Sequence, residues 1–421
     1  MATPSTTLKK PKHIDFMPPA AKIPLTITRR ENSTLDGANL HEKIPKDRIR
    51  ALILSDHLKD KWNQNQYNLA YVGKNYTNEK ELLQAYLNQY DDHSSSVKVT
   101  YQKPKHKWGR AYPQRSLGLT SMSRITRNTL IYDLVIDCDI KNCQPELIRN
   151  ICEDNDIPCD YVTEYCERRK DILAEVIETY NVDRWVAKQL FIRICFKGSF
   201  HSWCQEHQVE NKIPLKFITR FQTDVETIAK IIKKKNPDLY KTCYDLQKAK
   251  NKTNYIGSCL SLFLQDYEEY IVSRMISWCK LKARVMPNNI GTYEFDGIKL
   301  WKENVNKYNG GIEKFLKDIN EATKSLTGFD LVWEVKEIDE YFDITNDLEK
   351  IRESDKAKQD AAKELKELSD YFDGRMDNTG VIETIKEMKP NNYVYSKDVF
   401  YGWTGDKWIR SIAHGNNLWY S

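Results

Sequence analysis

Apolar residues recur along this chain at two spacings, and the changes between them mark its elements. In "KDRIRALILSDHLKDKW" and "NEKELLQAYLNQY" they return every three or four residues, which predicts a mainly helical region over residues 36–95. The same period runs from 145 to 235, broken at "NDIPCD" and "FKGSFHSW", and again through "NYIGSCLSLFLQDYEEYIVSRMISWCKLKARV" and "GGIEKFLKDINEATKSLTG". It drops to two in "IYDLVIDCDIKNCQPELI" and in "FDLVWEVKEI", which read as strands. "PNNIGTYEFDGIKLW" reads as a hairpin, because Asp-Gly between apolar runs tolerates a tight turn. The class expected is α+β.

The ends differ from the middle. Residues 1–35 begin rich in Pro, Thr and Lys and read as a disordered tail. "NDLEKIRESDKAKQDAAKELKELSDYF" is helical but has little apolar face, so 344–374 reads as a charged linker. The last piece, "NNYVYSKDVFYGWTGDKWIRSIAHGNNLWYS", is aromatic and strand-like. No run of about 18 apolar residues occurs and the start lacks a signal-peptide core, so an intracellular, soluble, non-membrane protein is expected. No internal repeat is found.

The strand at 131–140 carries an unusual load. Alternation would point Leu134, Ile136, Cys138 and Ile140 into a core and Asp133, Asp137 and Asp139 the other way. Such a face is either solvated or metal-binding. Asp296, in the hairpin, is by itself a turn-former. Taken together, two aspartates on adjacent strands can clamp two Mg²⁺ ions about 4 Å apart, bridging a triphosphate and a hydroxyl. "DRWVAKQLFIRICFKG" lies between them in sequence. It reads as a helix with Asp183 near its start and with Arg184, Lys188, Ile192 and Phe196 along one stripe.

Charge and cysteine counts add two points. The net charge of +5 is uneven, since the 40 residues between Asp92 and Asp133 hold no acid. Lys98, Lys103, Lys105, Lys107, Arg110, Arg115, Arg124 and Arg127 stand there, interleaved with Tyr101, Trp108 and Tyr112. That pattern suits a phosphate backbone with stacked bases, the bland reading being a basic loop. Ten cysteines show no CxxC pair, and Cys152, Cys159 and Cys166, seven apart, read as buried thiols rather than a metal cluster.

The order of strand, helix and hairpin resembles the polymerase core of family A DNA polymerases, whose motifs A, B and C follow in that sequence. Asp139 matches the metal-binding Asp of motif A. Arg184, Lys188 and Phe196 match the Arg, Lys and Tyr of motif B, with Gly198 one residue later than the pattern. Asp296 matches motif C, with Gly297 where the family carries Glu and Glu294 on the same strand. "WGRAYPQRSLGLTSMSRITR" resembles upstream elements that touch primer and template, with Gly109 and Arg110 at the Gly-Arg positions. Asn254 and Gly257 stand where the family has a template-contacting helix.

More narrowly, "DIKNCQPEL" and "DGI" resemble the divergent polymerases of virophages and transposon-like viruses. Asp139, Asn142 and Pro145 match their motif A, while Gln144 stands where His is usual. Gln144 also occupies the position of a family A Glu that helps exclude ribonucleotides, so sugar choice stays open. "MKPNNYVYSKDVFYGWTGDKWI" resembles a segment leading into a helicase of the poxvirus primase-helicase type.

The resemblance covers roughly residues 100–305. It implies a right-hand polymerase core, with an antiparallel palm sheet and helical fingers over 96–343. A thumb-like region would occupy 36–95, and a helicase-associated region would begin at 375–421. The part before the core is too short for a usual 3′–5′ exonuclease domain. The implied reaction joins dNTPs to a primer 3′-hydroxyl on a DNA template, in viral or mobile-element replication within a host cell. The catalytic set would be Asp139, Asp296 and Lys188, with two Mg²⁺, or Mn²⁺ in their place, on the two aspartates. Arg184, Lys188, Phe196 and Gln144 would hold the nucleotide, and Gly109, Arg110, Arg124, Arg127 and Asn254 the DNA. Two alternatives stay open: de novo primer synthesis by the same site, and a non-catalytic module that binds single-stranded DNA beside a downstream helicase.

Overall fold

The computed structural model describes residues 22–27, 35–58, 76, 78–114, 116–372, 393–396, 399–403 and 408–411, with side chains up to 364. Most of the expected tail, Arg115, and residues 375–392 of the expected helicase-associated region lie outside the described residues. The chain divides into two units, Met1–Asp347 and Leu348–Ser421.

At the centre of the first unit is a four-stranded sheet, antiparallel throughout, ordered Thr292–Glu294, Gly297–Trp301, Val135–Ile140, Trp333–Lys336. The strand Val135–Ile140 is therefore interior, with a partner on each side. Alternation gives the sheet one apolar face: Cys138, Ile298, Leu300 and Trp333 are buried, and the helices Tyr255–Leu281 and Gly311–Thr327 pack on this sheet. Trp333 donates its Nε1–H to Thr323 on the second of these helices, so even this bulky indole has its polar atom satisfied. The other face is charged and forms the site described below.

The helices Cys143–Asp154, Asp160–Tyr180, Arg184–Cys195, Phe200–Glu206, Lys216–Lys235 and Pro237–Lys248 follow the central strand. The breaks fall where Asn-Asp-Ile-Pro and Lys-Gly-Ser were expected to interrupt the period. An aromatic cluster joins three of these helices: the Tyr165 and Phe191 ring centroids are 4.3 Å apart, and Phe191 meets Phe221 edge-on at 5.2 Å. That contact fixes the buried side of Arg184–Cys195.

The region expected to be mainly helical does hold the helices Lys46–Leu54 and Glu79–Leu87, but around a second sheet. Ser96–Gln102 pairs with Asn39–Glu42, Tyr90–Asp91 and Tyr112–Pro113. Two further expectations are corrected. The strand begins at Val135, so Leu134 and Asp133 lie in the preceding turn, and Asp133 is held by the Arg48 guanidinium. Residues 22–27, assigned to the tail, are fastened to the helices: Ile23 and Ile27 are buried, Ile27 N–H donates to Asn236 at 2.9 Å, and Asn155 donates to the Ile23 carbonyl at 2.9 Å.

The charged helix is Thr345–Phe372, most of it in the second unit. Beyond it Val399–Trp403 pairs antiparallel with both Tyr393–Ser396 and Trp408–Ser411, matching the strand-like aromatic pattern. Among the described residues no helix is long and apolar enough to cross a membrane.

Glu42 ties the small sheet to the hairpin strand. Its fully buried carboxylate accepts from Tyr86 Oη at 2.7 Å, Thr292 Oγ1 at 3.1 Å and the Leu119 amide at 3.1 Å. Burial outweighs these donors and raises its pKa from 4.5 to about 7. A carboxyl raised on folding favours the native state below its unfolded pKa and loses that advantage as pH climbs. Glu42 should therefore cost the fold about 3 kcal/mol more at pH 8 than at pH 4.5. Urea unfolding of wild type and Glu42→Gln at both pH values checks this. The variant should gain on wild type as pH rises, and a difference independent of pH would contradict it.

Candidate active site

The charged face of the central sheet is a row of alternating signs set by strand register. Asp137 pairs with Lys299 on one side and Lys336 on the other, Asp139 with Gly297 and Glu334. Lys299, almost fully buried, lies 2.8 Å from Asp137 and 2.6 Å from Glu294. Glu294 also meets Arg127 at 2.6 Å. Burial alone would push Glu294 up, but Lys299 and Arg127 outweigh it and hold the carboxyl below its ordinary value. Asp137 and Glu294 are thus structural anions, each locked by a cation.

Asp139 and Asp296 are in a different state. The hairpin turn is Phe295–Asp296, and the Ile140 amide donates to the Asp296 carbonyl at 3.0 Å, tying the turn to the end of the central strand. The expected role of Gly297 as a turn residue is corrected here. Phe295 takes the left-handed conformation, φ 57°, and Gly297 lies within the strand. A Cβ on Gly297 would stand 2.7 Å from Asp139 Oδ1 and 3.0 Å from the Cys138 carbonyl, so the glycine makes room for the carboxylate. Phe295 is held in its unusual backbone by rings and charge. It packs edge-on to Tyr112 and Tyr293, with the Arg110 guanidinium 4.5 Å from its centroid.

Both aspartates are raised above the ordinary carboxylate value. For Asp139 the causes are burial and then the charge of Asp296, opposed by Lys336; for Asp296 they are burial and then Glu268, opposed by Arg110. Lys336 reaches Asp139 at 3.1 Å, while Asp296 has no ion-pair partner among the described residues. The two line a cleft of about 160 Å³ with Asp137, Glu294, Arg127 and Lys336. Such a pair is what a divalent cation would relieve. Among the described residues no three His, Cys, Asp or Glu are arranged as a metal cage. Two carboxylates nonetheless fit Mg²⁺, which keeps several waters and completes its shell from phosphates.

A buried network lies beneath. Glu268, on the long helix Tyr255–Leu281, accepts from both Arg110 and Gln144, and the Gln144 Oε1 has no hydrogen-bond partner. Arg110 is therefore committed inside the protein. Gly109, at φ 77°, lets the chain pass Leu262 and Gln265 of the same helix.

The expected open basic stretch is corrected more widely. Lys103 is fully buried between Asp266 and Glu269, at 2.9 and 3.1 Å. Lys107 pairs with Asp36 and Arg124 with Asp339, while Tyr101 and Trp108 are buried. These cations balance acids that are distant in sequence.

The helix Arg184–Cys195 is capped by Asp183, which accepts the Val186 amide at 2.7 Å. Arg184 is exposed, Lys188 partly so, and neither has an acidic partner within salt-bridge range among the described residues. Burial and then the charges of Arg169, Arg184 and Lys336 hold the Lys188 ammonium below its ordinary pKa. Lys188 therefore lies toward the edge strand Trp333–Lys336, where both Lys336 and Glu334 act on it.

The displaced Gly198 is explained by the helix end. Lys197 takes the left-handed position, φ 55°, and the amides of Lys197 and Gly198 donate to the carbonyls of Ile194 and Arg193 at 2.8 Å each, a Schellman cap. Phe196, at the cap, is half-buried. Asn254 donates to its carbonyl at 3.0 Å and accepts the Gly257 amide, and a Cβ on Gly257 would collide with that carbonyl. Asn254 and Gly257 thus join the end of this helix to the start of the long one.

Lys336, Lys299, Glu268 and Arg169 were not found in the sequence. Glu268 left a signal, since "DYEEY" sits inside a helix apolar on most sides, and buried acids there need partners. The three thiols 152, 159 and 166 are free, the first two buried, as read.

No known protein-family profile matches the chain. It is 29% identical over 211 residues to "Putative helicase V13" of Sputnik virophage, across 50% of this chain and 26% of that protein. The chain thus spans about a quarter of that relative's length. Among solved structures it overlaps the "POL domain of Pol1 from M. smegmatis complex with DNA primer-template and dNTP", over 61% of this chain and 49% of that one. The TM-score is 0.37 and the identity 9%, too low to carry an argument.

The fit between Gly297 and Asp139 is testable. Gly297→Ala should cost about 1–3 kcal/mol of stability by crowding the carboxylate. In an Asp139→Ala background the cost should fall. Urea unfolding of the four proteins measures it, and an equal cost in both backgrounds would contradict the contact.

Proposed function

We propose that this chain carries a template-directed DNA polymerase site, built as a palm-like sheet with a fingers-like helical layer, and acts in replication of a virophage-like element. The observation that carries the reading is the meeting, in one cleft, of Asp139 and Asp296 from segments distant in sequence, while the other acids of that face are held by cations. The likeness to a virophage protein named as a helicase supports the replicative setting, and fits a helicase lying downstream in a longer chain.

Asp139 and Asp296 are the residues that would hold divalent metal, the other acids of the face being neutralised. Mg²⁺ bound there would lower the pKa of a primer 3′-hydroxyl and bind the triphosphate of a dNTP. Arg184 and Lys188 would neutralise the triphosphate, neither being in a salt bridge among the described residues. Lys336 holds Asp139 in place and limits the repulsion between the aspartates. Phe196 closes the end of the helix where a base would stack. Gln144, at the position the resemblance ties to sugar choice, is buried and donates to Glu268, so an amide would stand there in place of a carboxylate.

Primer extension on a labelled primer-template with Mg²⁺ and dNTPs tests this. Wild type should extend, Asp296→Ala and Asp139→Ala should fall to background, and Lys188→Ala should lose about 10²-fold. Full activity in either aspartate variant would refute the site. Product only from NTPs without a primer would favour primer synthesis. Firm DNA binding with no product under any condition would favour the helicase-coupled binding module.

A further inference from the structure

In the segment expected to track nucleic acid, Lys103, Lys107, Arg110, Arg124 and Arg127 are paired with acids, yet another part of the surface has the opposite arrangement. From Lys233 to Tyr255 the chain holds seven lysines and two aspartates. It forms the end of Lys216–Lys235, the helix Pro237–Lys248, and the turn that leads into Tyr255–Leu281. The turn is fixed by its backbone, with the Lys250 and Lys252 amides donating to the Gln247 carbonyl at 3.0 and 2.9 Å. Lys248, Lys250 and Lys252 are exposed, and none has an acidic partner among the described residues.

Aromatic rings lie among these charges. Tyr244 is 38% exposed and stacks at a tilt on Tyr255, centroids 4.8 Å apart. Lys248 Nζ stands 5.6 Å from the Tyr244 ring, and Lys233 Nζ 4.6 Å from Tyr240. An exposed ring, Tyr244, backed by half-buried Tyr255 and beside unpaired ammonium groups, suits a flexible polyanion with flat bases, which can stack on the ring while its phosphates displace counterions. A duplex would offer phosphates but would keep its bases from the rings. The surface also ends at Asn254, whose side chain bonds the Phe196 carbonyl at the end of the helix Arg184–Cys195.

We propose that this surface binds single-stranded nucleic acid, and that its occupant is the unpaired template strand ahead of the site. The placement ahead of the site rests on the polymerase reading; the preference for a single strand rests on the rings and lysines alone.

The test is fluorescence anisotropy with the full chain over a range of salt. Its probes are a single-stranded oligonucleotide and two primer-templates, one with a short and one with a long template overhang. The variants are Tyr244→Ala and the triple change Lys248→Glu, Lys250→Glu, Lys252→Glu, with melting curves confirming that both fold. Tyr244→Ala should weaken binding of the single strand and the long overhang about tenfold. The triple variant should lower the salt slope by about 2, as expected for three lost phosphate contacts on a single strand. Binding of the short overhang should hardly change.

Wild-type affinity and slope in both variants would overturn the proposal, as would equal losses on the short and long overhangs. The two readings fail separately. Loss of single-strand binding in a chain that never extends a primer would leave this surface standing and remove the polymerase. Normal extension with unaltered binding would do the reverse.

Discussion

The site depends on a missing side chain. Gly297 pairs with Asp139 across two antiparallel strands, and the space a Cβ would fill is taken by the aspartate's carboxylate. That register determines the rest of the face. One residue further along each strand are Cys138 and Ile298, in the core, and one further again are Asp137 and Lys299, in an ion pair. A slip by a single residue would send every one of these side chains to the opposite face. The same register places the Phe295–Asp296 turn beyond the strand end, so two aspartates from distant parts of the sequence share one cleft.

Around that point the protein sorts its charges by depth. Lys299 with Asp137 and Glu294, Lys103 with Asp266 and Glu269, and Arg110 with Glu268 are buried or nearly so, and each cation there faces an anion. Removing one partner of such a group leaves an uncompensated buried charge, costing about 3–5 kcal/mol, so these groups fix geometry more than they add stability. At the cleft the balance is deliberately incomplete. Among the described residues Asp296 has no ion-pair partner and Asp139 has only the half-exposed Lys336. Two under-compensated carboxylates at one opening are what a divalent cation would neutralise.

The elements were largely legible in the sequence because period and breakers act locally. The helices after the central strand, the hairpin, and the aromatic strands near the end all fall where their patterns place them. What was not legible depends on contacts between distant segments. The acid-free run from 93 to 132 looked like an open basic track, but Lys103 and Arg110 meet acids more than 150 residues away on the helix Tyr255–Leu281. Gly297 read as a turn-former because Asp-Gly usually is one; its real constraint is the Asp139 carboxylate on another strand. Gly198 looked misplaced by one residue because Lys197 adopts the left-handed cap position normally left to glycine. Lys336 could not be found, since one lysine in a short strand carries no signal of the aspartate it faces.

The most direct test of the central claim is metal binding itself, read by the electron paramagnetic resonance of Mn²⁺ titrated into the protein without nucleotide or DNA. Wild type should bind, and Asp139→Asn and Asp296→Asn should each weaken binding at least about tenfold, the effect of losing about 1.4 kcal/mol at one ligand. Asp137→Asn, which removes a carboxylate already held by Lys299, should bind nearly as wild type does. No binding in wild type, or an equal loss in Asp137→Asn, would contradict the account, because the aspartates at the strand ends would then be no more than another internally balanced part of the sheet.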